Sequence, residues 1–311
     1  MASGLSSVVH KMPYLKSTFL LFKDAFLAFR NDQASIYAAG LAYYMVFSVA
    51  PLLVFVISIA GFFIDRTLAE EQVTSQLQYL MGGESADYID GIVTTLRNQT
   101  LSQTVTIVSI VALLISGAGI FGQLRTALNL IWGITNVRPV NVREWLLLAR
   151  YRAIPFLSVF LLGTALALAV IAETALSTVE VRFEALFPDA YLLLPQLGRL
   201  IIPGLTFVAF LLVFVVLPDA QIRWRDAAVG AAVTAVLFLI GRIVLAIFLA
   251  LGNTGSIYGA AGSLIILLLW IYYSAQLLLY GAEFTRLYAL RHGQAIRPNR
   301  LSRMMAAERD Q

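Results

Sequence analysis

Tyr272, Gln276 and Glu283 fall at offsets of four and seven along an apolar stretch that opens at Gly259 and runs to Thr285. On a helix they share one stripe, and because lipid does not solvate such side chains the stripe must face protein or water. Leu267, Leu268, Ile271 and Leu278 cover most of the remaining circumference. A second polar stripe, Tyr37, Tyr44, Ser48 and Pro51, lies in another apolar run with Gly40 beside it. Pro51 cannot donate a backbone hydrogen bond and predicts a kink that leaves a carbonyl near Phe47 in need of a partner. Gln123 and Arg125 supply a third polar set. If their helices are neighbours, Tyr44, Ser48, Pro51, Gln123, Arg125, Tyr272, Gln276 and Glu283 line one polar groove, with Arg125 and Glu283 able to pair at its mouth. The alternatives are a purely structural kink, Arg125 reaching a lipid phosphate, and Glu283 meeting Arg286 one turn on.

Two further charges, Glu173 and Arg242, lie inside apolar runs, where each costs ~2.5–3.5 kcal/mol unless paired or hydrated. Mutual pairing is the economical expectation, and an anion site at Arg242 is the alternative. No Walker A sequence, His-Glu metal motif or G-x-S-x-G elbow occurs, and Gly117-Ala-Gly-Ile-Phe-Gly122 follows an apolar helix rather than a strand, which removes the dinucleotide reading. No catalytic residue, metal site or cofactor is therefore expected, and the protein is read as no enzyme.

The elements that carry these residues are membrane helices. Of 311 residues 59% are hydrophobic and 13% charged, whereas a soluble domain has roughly a quarter charged. Six apolar runs, near Tyr37–Phe63, Thr104–Phe121, Ala153–Leu176, Arg199–Leu217, Ala227–Leu251 and Gly259–Ala282, are long enough to approach the roughly 30 Å of hydrocarbon at 1.5 Å per residue. The chain has no cysteine, so disulfides and thiolate sites are excluded, and its start lacks the apolar core of a removable signal peptide. The predicted fold is all-α: a polytopic bundle of six transmembrane helices.

Basic residues concentrate before the first run, between the second and third, between the fourth and fifth (Arg223, Arg225) and after the sixth, which predicts that both termini are cytoplasmic. The outer loop from Asp65 to Gln103 is acidic, and Thr67-Leu-Ala-Glu70 has the spacing of a capping box opening a helical hairpin. The organisation is then a cytoplasmic segment over residues 1–36, the transmembrane domain over 37–282 and a basic tail over 283–311. In the first segment Phe19, Phe22, Phe26 and Phe29 recur at helical spacing beside Lys16, Lys23 and Arg30. That amphipathic helix either lies on the anionic inner leaflet or caps the bundle. Gly117, Gly119, Gly122, Gly230, Thr234, Gly259 and Gly262 mark close helix approaches.

The blocks Ala38-Ala-Gly-Leu-Ala-Tyr-Tyr44 with Phe47-Ser48 and Ala50-Pro51, Gly122 with Trp132, Leu217-Pro218 leading to Arg223-Trp-Arg-Asp226, Ile257-Tyr-Gly259 and Gly281-Ala-Glu-Phe284 resemble the YihY/virulence factor BrkB family over about residues 20 to 290. The resemblance implies a six-helix protein of the bacterial inner membrane with cytoplasmic termini, and a role in envelope transport or lipid handling. It defines no substrate residues. Members have carried a ribonuclease BN label, but the two histidines lie in terminal segments and the cytoplasmic acids are scattered, which does not suit phosphodiester hydrolysis. The expected function is a transporter or translocator not driven by ATP, with an envelope scaffold as the alternative. Its expected partners are membrane lipids, such as anionic lipid or a lipopolysaccharide precursor, and not nucleic acid.

Overall fold

The computed structural model describes residues 14–63, 65–81, 91, 94, 117, 119–134, 194–252, 262–292 and 296–298. The elements are helices α1 (Tyr14–Asn31), α2 (Ala34–Phe63), α3 (Arg66–Met81), α4 (119–131), α5 (Leu194–Val216), α6 (Trp224–Gly252) and α7 (Gly262–Arg291), with a two-residue ladder of β1 (Ala220–Gln221) and β2 (Arg297–Pro298). Among the described residues three stretches are long and apolar enough to cross a membrane: Ala34–Ser58, Trp224–Phe248 and Leu264–Arg291. A shorter apolar helix covers Pro203–Val216. The membrane part of the second expected span, the whole third span and the second arm of the outer hairpin lie outside the described residues, apart from isolated helical positions.

Two boundaries differ from the sequence expectation for identifiable reasons. Helix α7 does not stop at Ala282 but continues to Arg291, because Ala282, Phe284 and Ala289 keep supplying core contacts; Glu283 is thus inside a helix and not at its end. Helix α3 is capped by Asp65 rather than Thr67: the Asp65 carboxylate accepts from the Thr67 amide at 2.9 Å and from the Thr67 hydroxyl. The hydroxyl bond, then the amide bond, holds this exposed carboxyl below its ordinary pKa. Of the residues that cover the rest of the last span's circumference, Leu267 and Ile271 are buried core residues, while Leu268 is exposed. Which apolar side of a helix meets protein is set by its neighbours, and in lipid both sides are equally apolar.

Turns are locally encoded. Helices α1 and α2 meet at a corner where Gln33 takes φ 51° and Ile36 N–H donates to the Gln33 carbonyl at 2.9 Å. Helix α4 closes with Gly133 at φ 67°, its N–H on the Leu130 carbonyl and the Ile134 N–H on the Asn129 carbonyl. This paired closure is the Schellman arrangement, which needs a residue that tolerates the left-handed region.

Helices α6 and α7 meet in a close seam. Gly230 faces Thr285, and Thr234 faces Gly281, so each helix offers a glycine to the other's threonine. A Cβ on Gly230 would stand 2.8 Å from the Thr285 Cβ, and one on Gly281 2.9 Å from the Thr234 Cβ. Each threonine hydroxyl donates to the carbonyl four residues back, Thr234 to Gly230 and Thr285 to Gly281, both at 2.7 Å, so neither hydroxyl in the seam is left without a partner. Farther along, Gly241 meets Tyr273 and Leu277, which makes the pair antiparallel. The sequence expectation covered Gly230 and Thr234. Its counterpart, Gly281 with Thr285, went unrecognised.

Candidate functional site at one end of the bundle

The segments that charge distribution assigns to one side of the membrane do meet at one end of the helices. Helix α1 packs on the end of α7: the Tyr280 hydroxyl donates to the Phe22 carbonyl at 2.9 Å, the Phe22 and Phe284 rings lie 4.9 Å apart, and Arg291 pairs with Asp24 at 2.8 Å. The Trp132 indole N–H, just after α4, donates to the Ala282 carbonyl of α7 at 3.1 Å. In the ladder, Gln221 after α5 is opposite Arg297 after α7.

Helices α2, α4 and α7 are mutual neighbours, the condition under which their polar residues could form one site. Gln123 of α4 packs its amide over Gly40 of α2, where a Cβ would stand 2.8 Å from Nε2, and Tyr44 of α2 lays its ring over Gly119 of α4. Residues 119 to 123 thus cross α2 along its small positions. Ser48 is buried and donates to the Met45 carbonyl at 2.8 Å, and Pro51 sits within an unbroken helix. Tyr272 and Gln276 are half-buried, Tyr272 against the same core as Leu128 and Ala275.

The expected pair between Arg125 and Glu283 does not form. Arg125 instead grips Asp219 with two nitrogens, Nε donating to Oδ2 at 2.7 Å and Nη2 to Oδ1. Asn129, one turn on from Arg125, completes the arrangement: its Nδ2 donates to Asp219 Oδ2 at 2.9 Å, and its Oδ1 accepts from the Asp219 backbone N–H at 2.8 Å. One carboxylate is held by two side chains of α4, which ties that helix to the corner between α5 and α6. Two sequence signals pointed here: Asn129 at i+4 from Arg125, and the acid that ends Leu217-Pro-Asp219 between two apolar runs.

Glu283 is fully buried and meets Arg286 at 2.7 Å, the local partner one turn on. Arg286 also approaches Asp32, at the α1–α2 corner, to 3.5 Å, so two carboxylates share one guanidinium. The Glu283 contact is an ion pair without hydrogen-bond alignment: neither carboxylate oxygen has an aligned donor among the described residues, nor has Arg286 Nε an aligned acceptor. Glu173 lies outside the described residues, and with it the expected pairing to Arg242. No group of acids and histidines among the described residues is arranged to hold a metal.

A helical bundle with apolar helices of spanning length defines an integral membrane protein of the helical class. The family model described as Virulence factor BrkB matches residues 25–305, and the chain belongs to that family. It is 31% identical over 264 residues to a UPF0761 membrane protein of Aeromonas salmonicida, covering 83% of this chain and 84% of that one. A UPF0761 membrane protein of Psychromonas ingrahamii is 26% identical over 280 residues, 88% of this chain and 89% of its own. One of Rhodospirillum centenum is 27% identical over 263 residues, 83% of this chain but only 54% of the relative, so the chain spans about half of that longer protein. No solved structure matches.

Proposed function

We propose that the protein moves a polar or amphipathic envelope component, a lipid or lipid-linked precursor being the best fit, across the bacterial inner membrane, without ATP and without catalytic chemistry, and with six spans and both termini in the cytoplasm. The observation that carries this reading is Glu283. A fully buried carboxylate inside a membrane-length helix, sharing one arginine with Asp32 and lacking an aligned donor on either oxygen, is an arrangement that apolar packing would not retain for stability alone. Ser48, Gln123 and Gln276 extend that polarity along three adjoining helices, and Tyr44 keeps part of its ring open to the outside of the bundle. A substrate headgroup would enter from the end that holds Glu283 and Asp32.

A second reading, an envelope scaffold, draws on a different observation. Gln123 over Gly40 and Tyr44 over Gly119 fill the space between α2 and α4, as packing would. The two separate in vesicles holding the purified full chain and a trace of fluorescent lipid, where a membrane-impermeant reductant bleaches only the outer leaflet of protein-free controls. Translocation predicts bleaching beyond that level, diminished by Glu283→Ala and by Gln276→Leu at normal reconstitution. Traces identical to empty vesicles would favour the scaffold. Bleaching that both variants leave unchanged would move the path away from these helices.

A further inference from the structure

Helix α1 divides its apolar residues between two faces. Leu21, Ala25 and Phe29, at successive intervals of four, are buried; Leu21, Phe22 and Ala25 cluster with Phe284 and Tyr280 of α7, a cluster that Val229 and Val233 of α6 also adjoin, and the Phe29 ring meets Tyr280 edge-on. The opposite face carries Phe19 at 72% exposure and Phe26 at 52%, with Lys23 and Arg30 exposed on the same stripe. Basic and aromatic residues are interleaved there, rather than segregated into a wet side and a dry side.

Depth decides what covers that face. The spanning stretch of α6 begins at Trp224, so Val229 and Val233 lie five and nine residues into it, roughly 8–14 Å along the axis. A helix docked at that level sits beside the first turns of a membrane-crossing helix, about where interfacial helices bury their apolar face. Phe19 and Phe26 then meet the boundary between headgroups and acyl chains, while Lys23 and Arg30 reach along it to phosphates. At the start of α6, Arg223, Trp224 and Arg225 are all exposed, Trp224 at 68%, with the Arg225 guanidinium 5.9 Å from the indole centroid. An aromatic ring flanked by cations at the mouth of a span is the composition that anchors to an interface.

We infer that the outward face of α1 and the Arg223-Trp224-Arg225 corner form one binding surface for anionic lipid headgroups of the adjoining leaflet. This surface is separate from the Glu283 site and holds whether or not the protein translocates anything.

The absence of cysteine makes the test clean. Phe26→Cys and, separately, Trp224→Cys are spin-labelled in the full-length protein and reconstituted into vesicles of phosphatidylcholine and phosphatidylglycerol. Both labels are expected to collide readily with dissolved oxygen and poorly with a water-soluble nickel chelate. Preferential collision with nickel, which means water, or shielding from both reagents, which means a second copy or another protein segment, would overturn the inference. Retention of phosphatidylglycerol over phosphatidylcholine on the detergent-purified protein, read by native mass spectrometry, is expected to fall about five-fold for each charge removed in Lys23→Gln and Arg30→Gln. An unchanged lipid preference in both variants would overturn the headgroup assignment.

Discussion

The seam between α6 and α7 and the polar end that adjoins it are held by opposite means. In the seam, Gly230 with Thr285 and Thr234 with Gly281 bring two backbones together by shape, and every hydroxyl is satisfied within its own helix. At the polar end, Asp219 is held by Arg125 and Asn129 across the molecule, and Glu283 is held by Arg286 and left with unaligned oxygens. Lipid is as apolar as leucine, so burying leucine gives no advantage between helices; contact area between small residues does. Near the interface, charge can be solvated and exchanged. The seam is therefore held by shape, and the polar end by charge and hydrogen bonds.

The comparison breaks most visibly in the seam. Gly230→Leu or Gly281→Leu forces a branched side chain into backbone-close contact and is expected to abolish folded, monodisperse protein, measured by abundance after detergent extraction and size exclusion. The sharper version uses smaller changes. Gly230→Ala is expected to cost ~1–3 kcal/mol by overpacking, and Thr285→Gly on top of it to restore part of the loss, because the added methyl then occupies vacated space. Purely additive effects in that cycle would show that the two positions do not share one contact.

A smaller loss is expected at Asp219. Arg125 and Asp219 keep about 16% and 15% side-chain exposure, so solvent offsets part of the charge left behind. Asp219→Ala should destabilise by ~2–3 kcal/mol, less than the loss of a fully buried partner, and Arg125→Met in the same background should recover some of it. The readout is thermal unfolding in detergent followed by tryptophan fluorescence, aided by Trp132 lying close to α4. An Asp219→Ala variant as stable as the parent would reduce the node to a surface contact.

What could be read from residues alone follows the same division. Long apolar runs with a Pro or Gly inside located α2, α5, α6 and α7 to within a few residues at most ends, because hydropathy over twenty residues is a local property. The end of α7 differs because the apolar run, not the helix, stops at Ala282. Gly230 and Thr234 were visible as small residues in an alanine-rich apolar run, whereas Gly281 and Thr285 flank the charged Glu283. Arg125 was visible as a charge needing a partner, but Asp219 lies 94 residues away, and no spacing rule carries across that gap. For Glu283 the local partner Arg286 is what forms, as i+3 geometry allows. The two faces of α1 were legible as amphipathic. That it both docks on α7 and exposes Phe19 and Phe26 required the packing.

The weakest effect should come from the ion pair that looks most like a tether. Arg291 and Asp24 join α7 to α1 at 2.8 Å, but their side chains are 35% and 48% exposed, so water and salt screen the attraction. Asp24→Asn is expected to lower stability by ~0–1 kcal/mol, and the difference should vanish at high ionic strength. Phe22→Ala, two residues away, should cost several times more, because Phe22 packs its ring at a tilt against Phe284 and adjoins the buried Leu21 and Ala25 cluster. Both variants report on the same docking of α1, so their ratio measures how far shape outweighs charge at the polar end. If Asp24→Asn releases α1, seen as rapid amide exchange over residues 19 to 30 while Phe22→Ala leaves it docked, then charge holds this helix, and the contrast between seam and polar end extends all the way to α1.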